Sequence, residues 1–447
     1  MKKKILFVSL GCDKNLVDSE MMLGMLLKNG YEFTDDEREA DVVVVNTCCF
    51  INDAKEESIN TILEMAKLRE SGAIEGLIVA GCLAQRYREE IQKEIPEVDA
   101  IIGTMAIDEI VLTLEEVCKG VRHNRYRSLE EKPLTGVDRV VTTGGHYAYL
   151  KIAEGCDKHC TYCIIPKVRG SYRSVPMESL VEEAARLAER GVRELILVAQ
   201  ETTLYGMDLY GHKALPELLH RLCGISGLYW IRILYCYPEE IDDALIETIR
   251  QEKKICHYLD LPIQHASDGI LKRMGRRTDR AQLERIIDRL RQEIPDICLR
   301  TTLITGFPGE TKEDHEQLLD FIDRMEFDRL GVFTYSQEED TPAALMEDQI
   351  EEEIKQKRFA ELMELQQEIA FDQAKEMIGK EVMVMVEGKV ADEEVYVGRT
   401  YRDAPNVDGL LFIHTEEELV SGDFVKVRVT QALEYDLIGE IADEFAE

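Results

Sequence analysis

The chain has 447 residues, 45% of them apolar, and a formal net charge of −34. That length holds two or three domains, and that charge excludes free docking on a phosphate backbone, pointing to solvated acidic faces or a basic partner. No run approaches the ~18 apolar residues of a membrane helix, and 12 cysteines are too sparse for a disulfide scaffold, so a reducing cytoplasm is expected.

Residues 1–118 alternate short apolar strands with helical patterns. Strand cores read at 5–10, 42–46, 77–80 and 101–102, with helices at 18–28, 54–69 and 84–94. The opening Met1-Lys2-Lys3-Lys4, then 5–10 and Gly11-Cys12, has the outline of a lipoprotein signal. Its apolar stretch is only six residues, too short for an h-region, and reads as a first strand. Such alternation predicts a parallel sheet covered on both faces, with ligands beyond the carboxyl ends of its strands. Cys12, Cys48 and Cys82 stand at three of those ends. Three loops at one sheet edge make one plausible site; the alternative is ordinary thiols buried in apolar strands. Gly11 and Gly81 would let the backbone approach a bulky cluster. Successive strand residues face opposite ways, so only one of Cys48 and Cys49 should face the site.

Residues 119–146 lose periodicity and contain Lys132-Pro133, Thr135-Gly136 and Gly144-Gly145, the composition of a linker. From 147 the alternation resumes in larger units, with strands at 147–152, 194–200, 230–236, 258–263, 298–305 and 330–335. Helices fall between them, including 180–190, 241–250, 281–292 and 315–325. Six such units predict a partial (β/α)6 barrel with chemistry at its carboxyl-terminal mouth.

The first of these strands runs into the loop 154–163 (EGCDKHCTYC), which carries Cys156, Cys160 and Cys163. Thiolates select iron–sulfur clusters or zinc. A structural zinc takes four ligands, whereas this loop offers three, and His159 beside Cys160 would strain to reach the same ion. Three thiolates on a four-iron cluster leave one iron open to a non-protein ligand; a zinc knuckle completed from elsewhere is the alternative. Polar motifs leave later strands at Gln200-Glu201-Thr202-Thr203, Gln264-His265-Ala266-Ser267 and 305–310 (TGFPGE), where glycines permit close contact with a ligand. His257 and His265 read as packing or orienting groups rather than bases. Cys118, Cys223, Cys236, Cys256 and Cys298 read as structural thiols.

Residues 347–378 read as one long helix, ended by Gly379, whose apolar stripe packs on the barrel. Short strands at 382–386, 395–398, 410–413, 424–429 and 437–441 then predict a small barrel of the oligonucleotide-binding kind. Residues 380–447 hold six Lys and Arg against 17 Asp and Glu, so this barrel should repel phosphates and prefer a basic protein surface.

The loop 154–163 resembles that of the radical S-adenosylmethionine enzymes, and 160–170 (CTYCIIPKVRG) narrows the resemblance to their methylthiotransferases. The strings 9–20 (SLGCDKNLVDSE) and 46–48 (NTC) are similar to the amino-terminal domain of that family, and the final segment to a TRAM domain. The resemblance implies an α/β multidomain protein: an amino-terminal domain at 1–118, a linker at 119–146, a radical core at 147–378 and a TRAM domain at 379–447. It implies two 4Fe–4S clusters and S-adenosylmethionine as cofactors. Cys156, Cys160 and Cys163 would hold the cluster that cleaves S-adenosylmethionine, and Cys12, Cys48 and Cys82 the cluster that delivers sulfur. Tyr162 would lie near the adenine, with Gln200, Glu201, Gln264, Ser267, Gly306 and Glu310 in stretches lining the pocket. Cys12-Asp13-Lys14-Asn15 and Gln200-Glu201-Thr202-Thr203 are similar to the branch that modifies an aspartate β carbon in the small-subunit ribosomal protein near the decoding centre. Glu201 stands where that branch usually has Asp, keeping the carboxylate. The implied partners are that basic protein, an electron donor and a sulfur source, with neither a membrane nor direct tRNA docking. The other readings are a tRNA adenosine methylthiotransferase and a non-enzymatic metal-binding module.

Overall fold

In the computed structural model, which describes residues 3–442, three sheets follow one another along the chain. Met1, Lys2 and residues 443–447 of the expected carboxyl-terminal segment lie outside the described residues. Strands β1 (Lys4–Ser9), β2 (Glu32–Phe33), β3 (Val42–Thr47), β4 (Gly76–Ala80) and β5 (Ala100–Ile102) form a parallel sheet ordered β2-β1-β3-β4-β5. Every residue of β3 and β4 is buried, which is why they read as unbroken apolar runs.

The first helix, Asp13–Lys28, starts five residues before its apolar period suggests, because its opening turns are polar yet buried. Lys14, Asn15, Asp18 and Glu20 face other protein rather than water. The expected helix at 84–94 is two, Gly81–Tyr87 and Glu89–Glu94. The break is at Arg88, in the left-handed region at φ 46°, with its guanidinium 5.1 Å from the Tyr126 ring.

The second region comprises β6 (Tyr147–Lys151), β7 (Ala153–Glu154), β8 (Arg173–Ser174), β9 (Glu194–Val198), β10 (Trp230–Ile233), β11 (Ile255–Asp260), β12 (Cys298–Thr305) and β13 (Arg329–Thr334). Apart from the short β7–β8 pair these form the expected open parallel barrel, ordered β13-β12-β11-β10-β9-β6. One face carries the helices. The other shares an apolar cluster with Val17 and Met21 of the first helix and Met385 of the third region. β10 ends at Ile233, three residues before its apolar run does, since Tyr235 (φ 60°) swings its ring under the Lys14 ammonium, 3.3 Å away.

Residues 119–146 are irregular but pinned. Buried Arg139 pairs with Glu20 (2.6 Å) and Glu183 (2.9 Å), and the Thr142 amide donates to Glu20 (2.7 Å). A Cβ on Gly24 would stand 1.9 Å from the Asp138 carbonyl oxygen, so only glycine admits this strap against the first helix.

The long helix Glu352–Glu376 leads into a closed barrel of β14 (Glu381–Lys389), β15 (Val395–Thr400), β16 (Leu411–His414), β17 (Phe424–Ala432) and β18 (Leu437–Ile441). It docks through buried Arg399, paired with Glu194 (2.7 Å) and Glu387 (2.6 Å), while Glu194 also holds Arg232 (2.7 Å). The Asp403 and Asp408 side chains of this region are buried as well, facing Arg329 (2.6 Å) and Arg300 (3.4 Å). Among the described residues no helix is long and apolar enough to cross a membrane.

Candidate active site: two cysteine triads at a domain junction

Cys12 precedes the helix Asp13–Lys28, Cys48 follows β3, and Cys82 lies in the helix that follows β4, so each leaves a carboxyl end of the first sheet. Burial pushes the Cys48 thiol up to about 12, and Cys82 and then Cys12 add to the shift. Burial also raises Cys82, against the Arg169 guanidinium, with Cys12 adding. Cys48 and Cys82 both lie within reach of Cys12, and a Cβ on Gly11, beside Cys12, would touch Cys48, which puts the three in one place. Ser58 clamps the middle one: the Cys48 amide donates to Ser58 Oγ and that hydroxyl donates to the Cys48 carbonyl, both at 3.0 Å.

The two glycines sit where neighbouring loop atoms leave no room for a side chain. A Cβ on Gly11 (φ +89°) would stand 2.6 Å from Cys48 Cβ, and one on Gly81 (φ +92°) 2.3 Å from Asn46 Oδ1. Their freedom is needed because neighbouring loop atoms crowd them. Cys49 is fully buried and packs with Val43, Val45 and Val79, beside Arg86. With Cys48 as the ligand, Cys48→Ser should lose cluster iron while Cys49→Ser keeps it; iron analysis of the purified proteins checks this, and the reverse pattern rejects it.

The second triad sits in the loop after β7. The Cys156 amide donates to the Gly170 carbonyl (3.1 Å), Cys163 to Cys160 (3.0 Å) and Thr161 to Met274 (2.9 Å), which fixes the loop against its surroundings. Burial pushes Cys156 up to about 12, opposed by the Lys158 amide and reinforced by Cys160. Cys163 is raised by burial and then by Cys160. His159 is exposed, at φ 52°. Among the described residues no three His, Cys, Asp or Glu side chains close around a single ion. Each donor set is three soft thiols alone, the chemistry of an iron–sulfur cluster with one open corner. Ligation would remove the protons that burial holds on Cys48, Cys82, Cys156 and Cys163.

The expected pocket residues divide into two groups. Tyr162 lies near Cys160 and Arg276 and sets its ring edge-on to Phe307, 6.5 Å between centroids. Gln200 donates to Glu154 (3.4 Å) and Gln264 sits at φ 73°; the Oε1 atom of each is buried with no partner among the described residues. Glu201 is fully buried and pushed up to about 7 by burial, against hydrogen bonds from Thr203 and the Lys158 ammonium 3.7 Å away. Ser267, Gly306 and Glu310 instead build the walls. The Ser267 hydroxyl donates to Asp314. A Cβ on Gly306 would meet Lys355 Cγ at 2.3 Å. Glu310 accepts from the Gly306 (2.6 Å) and Phe307 (3.1 Å) amides and from Arg358 (3.0 Å). His265 Nδ1 accepts from the Ser267 amide (2.9 Å), and burial drops its pKa to about 3, so it orients that turn as a neutral ring. His257 pairs with Asp296 (2.6 Å), partly exposed.

Three neighbours were not foreseen. The Lys158 ammonium reaches Glu240 (2.5 Å) and Glu239 (3.5 Å). The Tyr237 ring lies against both Lys158 (4.7 Å) and Arg276 (4.3 Å), with its hydroxyl 3.8 Å from Cys160 Sγ. Lys158 is signalled by lying inside the cysteine loop; nothing local marks Tyr237 or Arg276.

The cysteine edge of the first sheet lies across the mouth of the second. Lys55 (2.8 Å) and Arg86 (3.1 Å) meet buried Glu338, the Asn52 amide donates to Ser336 (3.2 Å), and the Tyr235 hydroxyl donates to Asp13 (3.2 Å). Arg169, from the radical-loop side, reaches Cys82 Sγ at 3.3 Å. Gln200 Oε1, Gln264 Oε1, His265 Nε2 and Arg276 Nε and Nη1 are buried with unmet hydrogen-bonding capacity among the described residues. A ligand with amine, carboxylate and purine edges, such as S-adenosylmethionine, fits such a set.

Residues 4–103 match the family described as Uncharacterized protein family UPF0004, 150–322 the Radical SAM superfamily and 378–442 the TRAM domain. The chain is 64% identical over 436 residues to the ribosomal protein uS12 methylthiotransferase RimO of Lachnoclostridium phytofermentans, covering 98% of this chain and 99% of that one. It is 52% identical over 451 residues to the RimO of Acetivibrio thermocellus, covering 99% of each. Among solved structures it resembles the radical S-adenosylmethionine methyltransferase TsrM of Kitasatospora setae, with cobalamin and a 4Fe–4S cluster bound. That match has a TM-score of 0.54 and 14% identity over 88% of this chain and 82% of that one, a likeness of fold alone.

Proposed function

The chain belongs to the RimO family of ribosomal protein uS12 methylthiotransferases, and from that membership we propose that it places sulfur and a methyl group on the β carbon of an aspartate of uS12. The observation carrying this reading is the placement of two separate thiol triads at one junction. In it, Cys156, Cys160 and Cys163 hold one 4Fe–4S cluster and Cys12, Cys48 and Cys82 a second. The cluster at the barrel mouth, with S-adenosylmethionine, supplies a hydrogen-abstracting radical, the chemistry an unactivated C–H bond needs and no side-chain base offers.

The protein's own residues bind and shield. Tyr162 and Phe307 wall the adenine side, and the unpaired edges of Gln200, Gln264 and Arg276 orient the polar end. Glu310 and His265 stiffen the loops that carry these groups. Methylation draws on a second S-adenosylmethionine, with an electron donor and a sulfur source as further partners, in the cytoplasm where ribosomes are.

Mass spectrometry of uS12 and of tRNA from a deletion strain tests the substrate. The expected result is uS12 lacking its methylthio group and unaltered tRNA; the opposite pattern would select the tRNA branch.

Recognition follows from charge. A chain of net charge −34 attracts a basic protein surface. Such attraction is screened over about 10 Å at 0.1 M salt. Binding to isolated uS12 should therefore weaken as salt rises, and charge reversal at Glu416-Glu417-Glu418 should weaken it further if that turn touches uS12. tRNA should bind poorly at every ionic strength. Tight, salt-sensitive tRNA binding with none to uS12, read by titration, would contradict this.

A further inference from the structure

We propose that Arg169 is a positioning residue that fixes the two thiol triads relative to each other and, through its bond to Cys82, raises the reduction potential of the cluster on Cys12, Cys48 and Cys82. This rests on the reading of those cysteines as cluster ligands.

Arg169 ends the short helix Ile165–Arg169, which follows Cys163 almost directly. The next residue, Gly170 (φ +78°), turns the chain back so that its carbonyl accepts the Cys156 amide at 3.1 Å. The backbone bearing Arg169 is therefore tied to both ends of the mouth cluster's loop. The side chain, 1% exposed, points away from that loop into the first domain.

All three guanidinium nitrogens find partners. Nε donates to Cys82 Sγ (3.3 Å), Nη1 to Asp18 (2.7 Å) and Glu154 (3.4 Å), and Nη2 to Asn15 Oδ1 (3.1 Å). Asp18 and Glu154 also share the Lys151 ammonium, so two carboxylates balance two cations in a buried junction. Asn15 in turn donates to the Leu10 (2.6 Å) and Thr47 (3.3 Å) carbonyls, in the loops of Cys12 and Cys48.

A guanidinium spans this set because its donors fork in fixed directions; an ammonium on the same stem does not. If Arg169 only joined two domains, its carboxylate contacts would suffice, and nothing would require Nε at a sulfur. With Cys82 ligated as thiolate, the bond becomes charge-assisted. Donors and positive charge at a ligand sulfur favour the reduced, more negative cluster. Sulfur transfer between fixed centres also depends on their separation being held.

The test uses the full chain with Cys156, Cys160 and Cys163 replaced by Ala, leaving one cluster, and reads its midpoint potential by a titration followed by electron paramagnetic resonance. Arg169→Met should lower the reduced-to-oxidised ratio at a given potential about tenfold, ~59 mV for one electron. Arg169→Lys, with iron retained, should fall between. Asp18→Asn disturbs the same junction but removes a negative charge, so it should not lower the potential. An unchanged potential in the Arg169 variants, or an equal fall in Asp18→Asn, would overturn the proposal. If the Met variant assembles no cluster, the Lys variant decides by the same criterion. A parent protein with no cluster would refute the ligand assignment and the proposal with it, a result distinct from a cluster of unaltered potential.

Discussion

Replacing Cys156, Cys160 and Cys163 together by Ala is expected to halve the bound iron and abolish reductive cleavage of S-adenosylmethionine. In the proposed reading two clusters of equal iron content make the loss one half, and the loop of 154–163, beside Tyr162, Tyr237 and Arg276, would supply one donor set. The fold should survive, since that loop is anchored by backbone bonds from Cys156, Thr161 and Cys163 that alanine retains. Iron analysis and assay of 5′-deoxyadenosine read both effects. Normal cleavage by the triple variant would make the mouth of the barrel the wrong place for this chemistry.

Replacing Cys12, Cys48 and Cys82 by Ala is expected to divide the activities: cleavage of S-adenosylmethionine persists while methylthio transfer stops. The division follows from the sites standing on different sheets and meeting only through side chains such as Arg169 and Glu338. Assay of 5′-deoxyadenosine together with mass spectrometry of uS12 measures it. Unchanged product would remove sulfur delivery from this triad.

The placement of this candidate site was legible because its cysteines are sparse, chemically distinct and placed at strand ends. Cys12, Cys48 and Cys82 could be assigned to one sheet edge from apolar runs alone, and the structure brings them together. What binds the halves was not legible, because it is a matter of residues far apart in the chain. Arg169 meets Cys82 and Asp18 across 87 and 151 residues of sequence, and no local period marks such a partner. The same burial moved element ends. Lys14 and Asp18 look like surface residues, so the first helix seemed to start at 18 rather than at Asp13. Cys236 extends an apolar run, yet β10 stops at Ile233, where Tyr235 turns left-handed to meet Lys14. Residues 119–146 had linker composition, and what pins them is buried Arg139, an isolated cation whose acidic partners Glu20 and Glu183 lie on two other elements. The glycines at 11 and 81 were legible as positions needing conformational freedom, but not that Cys48 and Asn46 crowd them.

The central claim, a radical methylthiotransferase acting on an aspartate β carbon of uS12, is tested most directly by isotope. The full chain, anaerobically reconstituted, is given reductant, a sulfur source, S-adenosylmethionine, tRNA, and uS12 carrying deuterium at its aspartate β carbons. The expected result is deuterium in 5′-deoxyadenosine, with uS12 gaining a methylthio group in place of a deuterium atom. Unmodified uS12, with the methylthio group on tRNA and 5′-deoxyadenosine free of deuterium, would contradict the account.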